Sequence, residues 1–108
     1  MKCDFCSAVP AVRAYRTPDF LLEEADIPGG RVERWSAEGW AACADCDRLI
    51  QAGDEEGVID RSTDRLQRTN PRWAAIPRPD ARQAVAGMQR RFFRIRQAVP
   101  EQCSEEPL

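Results

Sequence analysis

The chain lacks histidine altogether among its 108 residues. Imidazole is the usual general base near neutral pH and a common metal ligand. Its absence excludes catalytic dyads and triads built on histidine, and it excludes mixed cysteine–histidine metal sites. No alternative pair of nucleophile and base stands out in the sequence. We therefore expect that the chain is not an enzyme.

Long apolar segments are also lacking. No run of residues is apolar enough to cross a bilayer, and the mean hydropathy is −0.58. The opening residues, 1–6, do not have the charged-then-apolar pattern of a secretory leader. Hydrophobic residues make up 43% and charged residues 31%, a composition typical of a folded domain rather than a disordered segment. These features predict a cytoplasmic domain that does not bind a membrane.

Lysine is nearly missing, and the charge is unevenly distributed along the chain. Residues 1–71 carry nine basic and fourteen acidic side chains, whereas residues 72–98 carry seven arginines and one aspartate. Residues 99–108 add three glutamates, and the net charge is −2. An acidic chain is poorly suited to binding nucleic acid, because phosphate contacts dominate such affinity. The basic segment instead predicts a protein partner with an acidic surface.

Four of the five cysteines form two C-x2-C pairs, Cys3 with Cys6 and Cys43 with Cys46. Two intervening residues let both thiolates of a pair reach one ion, and two pairs complete a tetrahedral shell of four sulfurs. Such a shell leaves no open position for water or a substrate, as in structural zinc sites. The four cysteines therefore predict one structural Zn²⁺ ion as the cofactor.

Three other uses of these cysteines are open at this point. A rubredoxin-like iron site has the same ligands, although its knuckles usually place glycine where this chain has Ser7 and Asp47. A thioredoxin-like redox pair needs a single C-x2-C within a βαβ pattern, which the sequence lacks. Two disulfides are the third alternative, but paired cysteines in a reducing cytosol are more often metal ligands.

The order of the predicted elements places the two pairs in a zinc-finger fold. Short strands are predicted over 9–16 and from residue 20, with a turn at residues 28–30 (Pro-Gly-Gly) and an extended segment over 31–35. A helix is predicted over 44–52, which puts the second pair at its N-terminus, where the dipole stabilises thiolates. A knuckle, a β-hairpin and a helix favour a treble clef, and a zinc ribbon is the alternative.

These motifs resemble small actinobacterial zinc-finger-like proteins of unassigned function that open with Cys-Asp-Phe-Cys. The later part of their signature is matched by residues 40–50 (Trp-Ala-Ala-Cys-Ala-Asp-Cys-Asp-Arg-Leu-Ile), by residues 52–54 (Ala-Gly-Asp) and by Arg61. The resemblance covers about residues 1–61. It implies a shared fold and a shared metal, but it implies no activity.

The chain is predicted to be a small α+β zinc-stapled domain in two parts. Residues 1–70 form a four-cysteine zinc-binding module, whose second helix begins at an Asp54 N-cap and ends before Pro71. Residues 71–108 form a proline-rich connector, a basic amphipathic helix and an acidic tail. The acidic run at residues 54–56 is interpreted as a solvated helix start rather than a catalytic carboxylate pair.

The predicted C-terminal helix, residues 80–98, has an apolar stripe about 100° wide, the width of a core-facing side. Its members are Ala81, Ala84, Val85, Met88, Phe92, Ile95 and Val99. Phe93 lies off this stripe among arginines, so we expect it to be exposed and to anchor a partner. The predicted partner-binding residues are Arg82, Arg90, Arg91, Phe93, Arg94 and Arg96.

The remaining conspicuous side chains have structural interpretations. Cys103 has no partner cysteine nearby in the sequence, so we expect a free thiol. Trp35, Trp40 and Trp73 are predicted to belong to the core around the metal rather than to stack on nucleic-acid bases.

The function predicted from the sequence is that of a noncatalytic zinc-binding adaptor or regulator that docks onto a protein partner. A host-takeover factor acting on a larger machine is one example of this class. The alternative is a nucleic-acid-binding zinc finger that uses the arginine-rich helix. No small-molecule substrate is expected, because the metal shell is closed.

Overall fold

In the computed structural model, which describes residues 1–36 and 39–108, four short strands precede a series of helices and a fifth strand follows them. The side chains of residues 22–27, 32 and 34 lie outside this description. The strands are β1 (Ala11–Arg16), β2 (Phe20–Ile27), β3 (Gly30–Ser36), β4 (Trp40–Cys43) and β5 (Ser104–Pro107). The helices are α1 (Ala44–Gln51), α2 (Glu55–Thr69), α3 (Pro71–Ala74) and α4 (Arg78–Ala98), followed by a 3-10 turn at Pro100–Gln102. The prediction of a small α+β domain is confirmed.

The strands form two antiparallel sheets. In the first, β1 lies between β4 and β5, with Ala11 opposite Cys43 and Arg16 opposite Ser104. The second sheet is the hairpin of β2 and β3, which turns at Gly29 with a φ of 96°. Strand β4 of the first sheet ends at Cys43 and leads directly into α1.

Helix boundaries follow the caps present in the sequence. As predicted, Asp54 caps α2, and its Oδ1 accepts a hydrogen bond of 2.9 Å from the N–H of Gly57. A Cβ at position 57 would contact Asp54 Oδ2, so a larger residue there would displace the capping carboxylate. Asn70 ends α2 and caps α3 by accepting from the N–H of Arg72 at 3.0 Å. Short polar side chains thus cap the N-termini of α2 and α3, the two helices directly before α4.

The largest core cluster is centred on Phe92 of α4, which is fully buried. Its ring centroid lies 5.0 Å from that of Phe5, 5.4 Å from Trp40 and 5.7 Å from Tyr15. Helix α4 therefore completes the core of the segment that carries the cysteines. The predicted two parts of the chain, divided at residue 70, share this core.

The buried face of α4 differs from the predicted stripe. The buried residues are Ala81, Val85, Ala86, Gln89, Phe92 and Phe93. At 100° per residue, this face is rotated by roughly 80° from the predicted one. The expectation that Phe93 is exposed was wrong, because its side chain is only 7% exposed. The rotation arises because α4 packs against α2 and reaches the start of that helix, where Phe93 lies beside Ile50 and Gly53.

Replacing either phenylalanine of α4 is expected to destabilise the fold. Phe92→Ala and Phe93→Ala should each lower the free energy of unfolding by about 3–5 kcal/mol, as large-to-small core changes do. Gln97→Ala, at an exposed position of the same helix, is the control and should change it little. Urea denaturation measures all three. A Phe93→Ala chain as stable as the control would show that Phe93 is outside the core.

Candidate metal centre

The first cysteine pair lies in a tight knuckle that precedes β1. The N–H of Cys3 donates to the carbonyl of Ala8 at 2.8 Å, and the N–H of Ser7 donates to the carbonyl of Cys3 at 3.0 Å. Within this turn the N–H of Cys6 points at Cys3 Sγ, 3.5 Å away. The backbone therefore holds both sulfurs on the same side and directs a donor at one of them.

Ser7 completes the knuckle in a left-handed backbone conformation, with a φ of 67°. Glycine adopts this region at no steric cost, whereas serine does so with some strain. The lack of glycine after Cys6 was the sequence argument against a rubredoxin-like iron knuckle. For the first pair that argument loses its basis, because Ser7 takes the conformation that glycine would have, but it holds for the second pair, where Asp47 lies within a helix.

The second cysteine pair lies where β4 passes into α1. Cys43 is the residue before the first turn of α1, and Cys46 lies within that turn, as the sequence predicted. The positive end of the helix dipole therefore points toward the sulfurs and favours their thiolate form.

The four sulfurs converge into one buried cluster. The Sγ atoms of Cys3, Cys6, Cys43 and Cys46 all lie within 4.8 Å of one another. The distance from Cys6 Sγ to Cys43 Sγ is 3.6 Å, close to the roughly 3.8 Å expected between two ligands of a tetrahedral ion with bonds of about 2.3 Å. A disulfide needs about 2.05 Å, and all five cysteines are free thiols. The geometry fits a metal ion and does not fit the disulfide alternative.

The electrostatics of the cluster also favour a cation. The pKa of the Cys6 thiol is lowered because the side chains of Cys3 and then Cys46 hydrogen bond to its sulfur. The pKa of Cys46 is raised, because its thiol hydrogen bonds to the sulfurs of Cys3 and Cys6 and because it is buried. Thiolates this close repel one another, and a metal ion bound among them would neutralise that charge.

Arg61 of α2 supplies a positive charge beside the cluster. Its Nη2 lies 3.9 Å from Cys43 Sγ and 3.2 Å from Asp45 Oδ2. Burial opposes the charged form, but the hydrogen bond to Cys43 and the charge of Cys6 outweigh it, so the pKa of Arg61 is raised. Arg61 carries no signal of this role in the sequence, although it belongs to the signature that the chain resembles.

Asp4 joins the knuckle to β4. Its N–H donates to the carbonyl of Ala41 at 2.8 Å, and its Oδ2 accepts from the N–H of Ala41 at 2.7 Å. Burial raises the pKa of Asp4, while the hydrogen bond from Ala41 opposes that rise. This paired contact holds the two cysteine-bearing segments together, and no sequence signal identified it.

Asp47 and Tyr15 fix α1 against β1. The Tyr15 hydroxyl donates to Asp47 Oδ1 and accepts from Gln51 Nε2 at 2.9 Å. Arg13 Nε also lies 2.9 Å from Asp47 Oδ1. Burial, and then the hydrogen bond to Asp47, raise the pKa of Tyr15, so this hydroxyl stays protonated as a donor.

The predicted partner-binding arginines are largely engaged within the chain. Arg82 pairs with Glu56 and Asp60, and Arg90 lies 2.7 Å from Glu56. The other four members of the set lie on the same helix but in different environments. Arg91 donates to the carbonyl of Leu21, Arg96 lies 5.1 Å from the Tyr15 ring centroid, Arg94 is exposed and Phe93 is buried.

The tryptophans and Cys103 occupy different environments. Trp40 packs in the core and Trp73 is half-buried, but Trp35 is 56% exposed, so its predicted place in the core was wrong. Trp35 belongs to the separate β2–β3 hairpin, where its indole N–H donates to Glu33. Cys103 is a half-buried free thiol near the carbonyl of Ile95 and is not part of the four-sulfur cluster.

Comparison with known proteins gave no match among family models, curated proteins or solved structures. Among the described residues, no helix is long and apolar enough to span a membrane.

Arg61 offers a direct test of the metal centre. Arg61→Met should weaken metal binding by roughly 10-fold, the effect typical of residues that support metal ligands. Arg48→Met is the matched control, because Arg48 also pairs with Asp45 but is 72% exposed. Competition with a chromophoric chelator measures both affinities. Equal losses in the two variants would show that Arg61 acts only through Asp45.

Proposed function

We propose that this chain is a noncatalytic docking module whose fold depends on one structural zinc ion. The observation that carries the proposal is the buried cluster of Cys3, Cys6, Cys43 and Cys46. Zinc suits such a set because it accepts four thiolates in a tetrahedron and has no redox chemistry of its own. A four-sulfur iron site is the competing assignment, and metal analysis separates the two.

The closed arrangement of sulfurs supports a structural role. Four protein ligands fill a tetrahedral shell, so no position is left for a substrate or a reactive water. The cluster also lies inside the core, with all four side chains buried. A metal held in this way stabilises the fold, whose surface is then available to a partner, and performs no chemistry itself.

The order of elements supports a treble clef rather than a zinc ribbon. The knuckle carries Cys3 and Cys6, β1 and β4 form the main antiparallel pair, and α1 carries Cys46 in its first turn. In a zinc ribbon the second pair would lie in another strand–turn–strand knuckle. We infer on the same grounds that the chain shares this fold with the actinobacterial proteins it resembles.

A protein partner suits this module better than nucleic acid. The arginines that would contact phosphates are partly neutralised by ion pairs between α4 and α2. Phosphate contacts dominate nucleic-acid affinity, so this internal pairing weakens the alternative function. It equally reduces the acidic-partner surface predicted on α4, where Arg94 is the exposed member of the set. We propose an adaptor or regulator in a reducing compartment, where free thiolates persist.

The zinc assignment predicts a definite metal content. The chain purified from cells should be colourless and contain about one zinc per molecule, because four thiolates form a single site. Cys43→Ser should lose the metal and unfold the chain, since structural zinc contributes folding free energy. Cys103→Ser is the control and should keep both metal and melting temperature. Elemental analysis that finds iron, or a metal-free chain that stays folded, would refute the assignment.

The docking role predicts a metal-dependent protein complex. After nuclease treatment, the zinc-loaded chain should retain a partner from host lysate that Cys43→Ser does not retain. A largely apolar interface should change little with salt, whereas nucleic-acid affinity falls steeply. Retention that disappears with nuclease, or that falls steeply with salt, would favour the nucleic-acid function instead.

A further inference from the structure

A groove lined by all three tryptophans of the chain lies between the knuckle, the strands β3 and β4 and the helices α2, α3 and α4. We call it the tryptophan groove, after Trp35, Trp40 and Trp73. Its cavity volume is about 540 Å³, within the range of sites that bind a small molecule or a side chain. Phe5, Leu66 and Met88 add apolar lining.

Gln89 places a buried hydrogen-bond acceptor in the lining of this groove. Its side chain is 3% exposed, and its Nε2 donates to the carbonyl of Phe5 at 3.2 Å. This bond fixes the amide so that Oε1 is the free end. Among the described residues, Oε1 has no hydrogen-bond partner. A buried carbonyl without a donor is unfavourable, and a bound N–H group would satisfy it.

The charge around the groove favours a cationic occupant. The lining includes Asp4, whose carboxylate also accepts from the N–H of Ala41, and no lysine or arginine is among the described residues that line it. Residues 1–71, which supply much of the lining, carry nine basic and fourteen acidic side chains. Tryptophan rings attract cations at their faces, and Trp35, which lines the groove, is 56% exposed. Phosphate groups would find no complementary charge among the described residues of this lining.

We propose that the tryptophan groove binds an arginine side chain presented by a partner protein. The methylene stem would pack on Leu66 and Met88, the guanidinium would lie against Trp35, and one N–H would reach Gln89 Oε1. Arginine fits better than lysine because its planar group stacks on aromatic rings and carries five donors. This inference rests on the proposed docking function and names the chemistry of its partner.

The test uses the full-length, zinc-loaded chain labelled with ¹⁵N. N-acetylarginine methylamide is titrated in, and the citrulline analogue, which has the same shape but no charge, serves as the matched ligand. Three tryptophans give three indole N–H signals, and those of Trp35 and Trp73 should shift. The arginine compound should bind at least about fivefold more tightly than the citrulline compound.

Two variants of the chain locate the binding. Trp35→Leu should weaken arginine binding by about fivefold without unfolding the chain, because the ring is largely exposed. Gln89→Leu should also weaken it by about threefold or more, by removing the acceptor. Gln97→Leu, the same change at an exposed position of α4 outside the groove, is the matched control and should bind like the wild type.

Three results would overturn the proposal. They are equal affinity for the arginine and citrulline compounds, unchanged arginine binding by Trp35→Leu, and larger indole shifts with oligothymidylate than with the arginine compound. Each of these leaves the metal-dependent partner complex untouched, so the docking function could stand without this groove. If the arginine compound binds as expected but no metal-dependent partner is retained, the groove assignment stands and the docking function falls.

Discussion

The convergence of four cysteine sulfurs in the interior is the constraint on which the rest of the structure depends. Cys3 and Cys6 belong to the first knuckle, whereas Cys43 ends β4 and Cys46 lies in α1, beyond β1 and the β2–β3 hairpin, so the cluster closes a long loop. Thiolates placed this close and this deeply are unstable without a cation. A metal ion removes that penalty and at the same time fixes β4, α1 and the knuckle relative to one another. The core then forms on this base, with Phe92 covering Phe5, Tyr15 and Trp40.

The charges of the chain mainly stabilise this arrangement. Arg61 lies beside the sulfurs, and arginines of α4 pair with carboxylates at the start of α2. Exposed ion pairs contribute little individually, but several in one interface help fix the position of α4. A concentration of arginine in the sequence is therefore weak evidence for an acidic partner when acidic residues lie on a neighbouring helix. The tryptophan groove, whose lining includes Asp4 and the unpartnered side-chain carbonyl of Gln89, instead favours a cationic group of a partner.

The sequence predicted the cysteine set and the helices α1 and α2, because C-x2-C spacing and helix caps are local signals. It could not predict which side of α4 is buried, since an apolar arc does not identify the neighbouring elements. Phe93 was therefore predicted to be exposed but is buried, and Ala84 was predicted to face the core but is exposed. Strand β5 was also missed, because Ser-Glu-Glu-Pro has no strand pattern and is held by backbone pairing and an Arg16–Glu106 ion pair. Trp35 was misplaced because a large apolar side chain in a two-stranded hairpin can lie in the open. The left-handed Ser7 has no signal in the sequence.

The central claim is that the metal stabilises the whole fold, including a helix that contributes no ligand. Amide hydrogen exchange of α4 around Phe92, measured at buffered levels of free zinc, tests this most directly. If the metal and the fold are linked, the free energy of opening there should rise by about 1.4 kcal/mol for each tenfold increase in free zinc above the dissociation constant. Protection of α4 that stays unchanged when zinc is removed would contradict the account, because the core would then form without the metal.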